Sequence, residues 1–497
     1  MSEQLEMPIL APSCPNTDGS LIAVGSGCLV VPPVAVLFAR RDSIYKLMGC
    51  DVWDIDRDAR QWHGGAPVIA HPPCRAWGEL SHMANPRAGE KELAPWAVEQ
   101  VRRWGGVLEK KGWEQAKGYT DWRKVFQNHA KELDVVFVST PDHTHFAPSM
   151  TAVSMGIHCY TEKPLTWSVR EAQLLAAAYA KNPKVVTQQG NQGHGGNGWR
   201  LAYEYVKAGA VGDIKEFHTW TNRPIWPQGG DRPQGSDPVP ENLDWEAWIG
   251  PAPMRPYKGN RAYHDFNWRG VVDFGSGALG DMACHIMDPA YWALDLSTPT
   301  SVECLKQENA NKQTGPTKAL VRYEFPKRVN QYASKYLGKD ITMPPVVVYW
   351  YEGGWQPERP ATVPAEEQMG DGDNGSLFVG TKGFLTTGCY GDDTRLLPAS
   401  VMETQKAAFE KLEKVIPRVE TPGGHRRDWV RACKDGNPSA SDFEYAVPLT
   451  KTVLLGNLAM QTGEKVYWDA ANDRVTNNVP GVEALIKPEY RAPYTLG

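Results

Sequence analysis

Asp134-Val135-Val136-Phe137-Val138-Ser139-Thr140-Pro141-Asp142-His143-Thr144-His145 decides how this chain folds. An unbroken apolar run with polar ends fits a strand buried on both faces, as in a parallel sheet. The loop 140–145 follows, then a helical stretch that Gly156 can stop. Ile157-His158-Cys159-Tyr160 reads as a second strand and leads into the turn Thr161-Glu162-Lys163-Pro164-Leu165. Ser168-Val169-Arg170-Glu171 is a capping box: Ser168 accepts from an orphan amide and Glu171 reaches back. Ala172, Leu175, Ala176 and Tyr179 then share one helical face. Lys184-Val185-Val186-Thr187-Gln188 supplies a third strand. Strand, helix, strand, helix, strand is the second half of a doubly wound, Rossmann-like α/β domain.

In such sheets the ligand lies off the carboxyl ends of the strands. The loop 140–145 and the turn 162–164 both sit at carboxyl ends, so they should face one cleft. There Glu162 keeps the Lys163 ammonium charged, and Pro164 fixes the backbone that aims it.

From about residue 191 the pattern changes. Strand-like runs at 214–220, 319–325, 345–351 and 376–379 predict an antiparallel sheet with a few helices, an α+β domain. A helix over 281–293 lies within it, and the Pro-, Gly- and acid-rich 355–375 reads as a solvated loop. Asp281 and His285, four apart on that helix, share one face. Gly275, Gly277 and Gly280 around its start let another backbone or ring approach closely. A histidine near its ordinary pKa can take a hydroxyl proton while the carbon loses hydride, and a neighbouring carboxylate would orient it and favour its cation. A surface ion pair is the plainer reading of the same two residues. His143 and His145 read as solvated loop histidines; His-x-His without a third ligand makes no metal site, and none is expected. Of the 19 tryptophans, many fall between Trp220 and Trp268. Core packing explains them, and stacking on sugar rings is the functional alternative.

Composition bounds the rest. The 497 residues can hold two or more domains. A net charge of −5 argues against a general polyanion binder, so no nucleic-acid partner is expected. Nine cysteines without a CxxC pair fit a reducing compartment, hence the cytoplasm. The apolar run Leu29 to Phe38 is short and holds Pro32-Pro33, so it reads as neither a signal core nor a membrane span. Three segments result: an irregular 1–33, a Rossmann-like 34–190 whose part 34–109 is atypical, and an α+β substrate or oligomerisation domain over 191–497.

From about Ala116 onward the chain resembles the Gfo/Idh/MocA family of nicotinamide-dependent oxidoreductases. The motifs are Ser139-Thr140-Pro141-Asp142-His143-Thr144-His145, Glu162-Lys163-Pro164-Leu165 and Gly280-Asp281-x-x-x-His285. Gly190-Asn191-Gln192-Gly193-His194, Asn222-Arg223-Pro224-Ile225-Trp226-Pro227 and Phe266-Asn267-Trp268-Arg269-Gly270 are similar to a bacterial branch of it. The resemblance implies NAD or NADP as cofactor and a sugar or polyol hydroxyl as substrate. It implies Lys163, Asp281 and His285 as catalytic residues, with Thr140, Pro141, Asp142, His143, Glu162 and Lys163 bordering the dinucleotide. It also implies a homo-oligomer formed through an exposed sheet face. Some relatives cleave glycosidic bonds by transient oxidation with tightly held NAD, a second reading that uses the same residues.

The N-terminal part departs from the family. Its closest approach to a Gly-x-Gly-x-x-Gly turn is Gly25-Ser26-Gly27, where Val30 replaces the third glycine and Pro32-Pro33 follow where a helix should start. Residues 34–109 resemble a phage-type segment distantly similar to cytosine-C5 DNA methyltransferases, with Asp56 as the acid near a cofactor ribose and Cys74 in the place of the nucleophile. Either a foreign segment replaced half of the dinucleotide domain, or Cys50–Asp56 still serves as its second strand with Asp54 or Asp56 near the adenosine ribose. A third reading is therefore a degenerate or fused protein with weak or no cofactor binding.

Overall fold

The computed structural model describes residues 118–497, apart from 242, 264–265, 330–334, 413, 420–423 and 497; before residue 118 it describes six strands. The chain divides into two compact units, Met1–Gly118 and Tyr119–Gly497.

In the first unit, β1 (Leu21–Val24) and β2 (Gly27–Val30) pair antiparallel, with Val24 opposite Gly27. Gly25 and Ser26 themselves lie outside the described residues, but the strands around them form a hairpin, whereas a phosphate turn joins a strand to a helix. The runs read as strands at 34–39, 50–56 and 68–74 contain β3 (Ala35–Leu37), β4 (Asp51–Trp53) and β5 (Val68–Ala70). With β6 (Val107–Leu108) they form a parallel sheet in the order β4-β3-β5-β6. Asp54, Asp56 and Cys74 lie outside the described residues.

The second unit begins with α1 (Trp122–His129) and a parallel three-stranded sheet, β7 (Val135–Val138), β8 (His158–Thr161) and β9 (Thr187–Gln189). Helices α2 (Phe146–Ser154) and α3 (Val169–Lys181) are the crossovers. The capping box is formed: Ser168 Oγ accepts from Glu171 N–H at 3.3 Å, and Glu171 Oε2 accepts from Ser168 N–H at 2.8 Å. Such caps contribute about 1 kcal/mol each. The third strand starts later than its apolar residues suggest; Val185 and Val186 just before it are buried, and Val186 O accepts from Cys159 N–H at 3.0 Å.

Helix α4 (Asn197–Lys207) leads to a nine-stranded sheet. Its strands are β10 (Ile214–Trp220), β11 (Ser301–Glu308), β12 (Lys318–Phe325), β15 (Val346–Glu352), β16 (Gly375–Gly380), β17 (Gly383–Thr387), β18 (Arg395–Leu397), β19 (Val466–Asp469) and β20 (Arg474–Val475). The order is β18-β17-β16-β10-β15-β12-β11-β19-β20, antiparallel except for β10 beside β15. A ribbon of β13 (Arg328–Val329) and β14 (Thr342–Met343) stands apart from it. Strict alternation along β12 and β15 turns Val321, Tyr323, Val348 and Trp350 into the core and leaves Arg322, Tyr349 and Tyr351 half-exposed.

The remaining helices are α5 (Trp245–Ile249), α6 (Gly277–Ile286), α7 (Asp288–Ala293), α8 (Ala399–Phe409), α9 (Gly424–Asp435), α10 (Phe443–Thr462) and α11 (Val482–Ile486). Two helices replace the single one expected over 281–293: Pro289 has no N–H to donate back, so the chain breaks at Met287 and restarts with Pro289 in the first turn. Helix α10, 20 residues and so about 30 Å long, joins the two cores. Its Phe443, Ala446 and Val447 pack with the three-stranded sheet, and its Leu449, Val453 and Leu455 with the large one.

One expectation changes and one holds. The 355–375 segment is irregular, but Val363 and Met369 are buried against Trp220, Leu377 and Leu397, so part of it is packed. Trp220, Trp226, Trp245 and Trp268 are all buried, which favours packing over sugar stacking. Among the described residues, no helix is long and apolar enough to cross a membrane.

Candidate active site

The site is built at the carboxyl end of β8. This strand lies between β7 and β9, and the ladder runs on past it: Glu162 N–H donates to Val138 O at 2.9 Å, and Gly190 N–H donates to Thr161 O at 2.8 Å. The next residues must leave the sheet there. Glu162 is held by Gln192, whose amide donates to its carboxylate at 3.2 Å. Gly190 leaves room beside it: a Cβ at that position would meet the Glu162 carboxylate and push it aside. The Lys163–Pro164 peptide is cis.

Lys163 Nζ donates to the backbone O and to Oδ1 of Asp281, both at 2.6 Å. Arg269 Nε donates to the same Oδ1 at 3.1 Å. Burial by itself would raise the Asp281 pKa, but the Lys163 and Arg269 cations outweigh it and hold the carboxyl below the usual range. One turn on, His285 is 3% exposed and meets Tyr390 edge-on, with ring centroids 5.1 Å apart. Its Nδ1 is buried without a hydrogen-bond partner. Burial first, then the Lys163 charge, push the imidazole down to about 3, so it is neutral at ordinary pH.

Asp281 has closer partners than His285. The i,i+4 spacing does place Asp281 and His285 on one face, but the carboxylate is engaged by two cations rather than by the imidazole. Asp281 still favours the His285 cation, but burial and the Lys163 charge outweigh it, so the imidazole is neutral. Lysine, aspartate and histidine still meet as a cluster.

The loop 140–145 joins this cluster from behind. Asp142 is buried, and its Oδ2 accepts from Ser276 N–H at 3.0 Å and Ser276 Oγ at 2.7 Å, tying the loop to the start of α6. His143 and His145 are also buried, contrary to the expectation of solvated histidines. His143 lies between Phe274 O and Trp248 O, at 3.1 and 3.2 Å. His145 lies between Pro164 O and Thr140 O, both at 2.7 Å, so it locks the Lys163 turn to the loop. Among the described residues no cluster could hold a metal ion. Of the residues expected to border a dinucleotide, Thr140 is exposed and Pro141, Glu162 and Lys163 are partly so, whereas Asp142 and His143 face inward.

Arg269 was missed as a site residue, although Phe266–Gly270 stood out as a motif. Its guanidinium lies 4.1 Å from the Phe266 ring centre and 4.3 Å from that of Trp268. The signal was the cation flanked by aromatic residues, which the sequence shows without its target. A second buried network supports the cleft. Asp288 accepts from Asn191 Nδ2 at 3.2 Å and from Tyr445 OH, and lies 3.0 Å from His194 Nδ1, anchoring the loop after β9.

The cofactor can be tested against these residues. Glu162 carries a partly exposed carboxylate, Thr140 is exposed, and the Lys163 charge acts on the His285 imidazole. That donor set fits the nicotinamide–ribose half of a dinucleotide.

Comparison with known proteins gives the same picture. Residues 100–189 match the model of the oxidoreductase family, NAD-binding Rossmann fold, and residues 214–326 match that of the oxidoreductase family, C-terminal alpha/beta domain. Levoglucosan dehydrogenase of Pseudarthrobacter phenanthrenivorans is 28% identical over 172 residues, which is 34% of this chain and 35% of that protein. The 2,7-anhydro-N-acetylneuraminate hydratase of Escherichia coli is 27% identical over 135 residues, 27% of this chain and 31% of that protein. The matched stretches thus span about a third of these curated relatives. A solved levoglucosan dehydrogenase, in complex with NADH and levoglucosan, aligns with a TM-score of 0.43 at 16% identity, covering 82% of this chain and 92% of that one. The two family matches identify residues 100–189 and 214–326 as the NAD-binding and C-terminal domains of the Gfo/Idh/MocA oxidoreductase family.

Proposed function

We propose that this chain is a nicotinamide-dependent oxidoreductase acting on a hydroxyl of a sugar or polyol. The observation that carries the reading is the pairing of Lys163, fixed on Asp281, with His285, buried and neutral with a free Nδ1. NAD or NADP, when bound, accepts hydride from the substrate carbon. Thr140, Pro141, Glu162 and Lys163 hold its nicotinamide side.

The chain's own part is proton handling and charge stabilisation. His285 accepts the hydroxyl proton on its imidazole. A neutral imidazole at about 3 is a weak base in the resting site, but an alkoxide forming against it favours the imidazolium. Lys163 stabilises that alkoxide, a contribution of roughly 3–4 kcal/mol for a well-placed donor. Asp281, itself held by Arg269, keeps Lys163 from swinging away. The buried loop histidines and the packed α6 exclude water behind the reacting atoms.

The test mixes the full chain, NAD⁺ or NADP⁺ and a panel of sugars and polyols, and follows the absorbance of reduced nicotinamide. Formation that depends on Lys163 supports the reading; none with any cofactor–sugar pair refutes it. A redox-neutral cycle is the second reading, supported by the hydratase name of one relative. It predicts converted substrate without net reduced cofactor. We infer also that the half-exposed face of the large sheet, with Arg322, Tyr349 and Tyr351, joins copies of the chain. Light scattering on the purified protein checks this, and a monomer at all concentrations contradicts it.

A further inference from the structure

Arg269 is more elaborately held than a partner for Asp281 needs to be. Its Nε is on Asp281 Oδ1, its guanidinium lies over the Phe266 and Trp268 rings at 4.1 and 4.3 Å from their centres, and its side chain is 22% exposed. Among the described residues neither terminal nitrogen has a hydrogen-bond partner, so the end-on edge of the fork is open. The two ring contacts and the Nε bond restrain that edge. The Nε behind it shares Asp281 Oδ1 with the Lys163 ammonium.

A guanidinium edge donates only, and two parallel N–H groups match two coplanar acceptor oxygens. Hydroxyl pairs on a sugar ring are neither coplanar nor purely accepting, whereas a carboxylate is both. The charges around the edge point the same way. Lys163 and Arg269 share one oxygen of Asp281, His285 is neutral, and Asp142 is raised by burial and spent on Ser276. We propose that Arg269 is a specificity-determining residue, and that the substrate of this site is a sugar acid whose carboxylate docks on its free edge. The oxidised hydroxyl then lies between Lys163 and His285: its carbon gives hydride to the oxidised nicotinamide, its proton goes to His285, and a keto or aldehydo sugar acid leaves.

The proposal rests on the oxidoreductase reading for the chemistry, but not for the recognition, so binding and turnover are measured separately. Calorimetric titration of the full chain, with NADH present, uses D-gluconate and D-glucuronate against D-sorbitol and D-glucose. The acids are expected to bind at least ~10-fold tighter than their neutral counterparts, and R269Q to remove most of that ratio. R269K, which keeps a charge that can reach Asp281 but lacks the fork, should also lose most of it. Where turnover is seen, the change with R269Q should fall mainly on KM for the acids.

Equal binding of acids and neutral sugars, or no binding of either acid, overturns the proposal. So does an equal loss for both classes in R269Q, which would leave Arg269 as a holder of Asp281 alone. Acid-selective binding without any reduction of NAD⁺ keeps this proposal and refutes the oxidoreductase reading instead.

Discussion

Replacing Asp281 by asparagine removes the one charge that Lys163 and Arg269 share. Both nitrogens touch Oδ1, at 2.6 and 3.1 Å, so they stand less than ~6 Å from each other. Their side chains are 14% and 22% exposed, well shielded from water. At an effective dielectric near 20, two like charges at that separation repel by about 3 kcal/mol. In the wild-type protein the Asp281 carboxylate offsets this repulsion by attracting both cations. Asp281→Asn should therefore cost about 3–5 kcal/mol of stability, as expected when one partner of a buried ion pair is removed. In the wild-type background Arg269→Gln loses a charged hydrogen bond, at a cost of about 1.5–3 kcal/mol. In the Asp281→Asn background the same change relieves the repulsion and should be neutral or stabilising. Guanidinium unfolding of the four proteins closes the cycle, with a predicted coupling of about 2–3 kcal/mol between the sites. Costs that add to within about 0.5 kcal/mol would refute the shared-oxygen arrangement.

The remaining predictions concern the base, the lysine and the packing. Lys163→Ala should lower turnover at least ~100-fold while near-ultraviolet circular dichroism stays unchanged; unaltered turnover would remove Lys163 from the chemistry. With His285 pushed down to about 3, the rate should show no acid limb near pH 6.5, and an inflection there would contradict a buried neutral base. The buried His143, His285 and His425 have folded pKa values pushed down to about 4, 3 and 3. Their depressed values contribute stability that is present above the unfolded value near 6.5 and is lost as pH falls. Near pH 5 each should subtract about 1.4 kcal/mol per pH unit, while the buried Glu171 and Glu352, raised to about 7 and 8, act in the opposite sense between pH 4.5 and 8. The histidine term therefore stands clear just below pH 4.5, where flat stability would contradict it. Met369→Ala should cost about 2–5 kcal/mol in thermal or denaturant unfolding if the 355–375 segment is packed as described; a solvated loop would lose almost nothing.

The three-stranded sheet was legible because its signals are local. Apolar runs of fixed length, a capping box and a stopping glycine each constrain a few adjacent residues, and β7, β8 and α3 lie where those signals place them. Lys163, Asp281 and His285 were legible as a set, since a cation beyond a strand and an i,i+4 pair are both readable patterns. Their partnering was not. Whether Asp281 turns to His285 or to Lys163 depends on a contact between residues 118 apart in sequence, and on Arg269 arriving from another loop. Burial of His143 and His145 was likewise invisible, because their acceptors are backbone carbonyls, which no side-chain pattern encodes. Met369 sits among glycines and acids whose composition signals a loop, and only the packing against Trp220 shows that part of the loop is core.

The central claim is that a nicotinamide ring is held beside Lys163. Emission from NADH reports the surroundings of that ring directly. On titration with the protein it should rise, shift to shorter wavelength and saturate at a sub-millimolar concentration, and Lys163→Ala should alter the bound spectrum. NADH emission that stays that of free NADH as the protein is raised into the millimolar range would contradict the account.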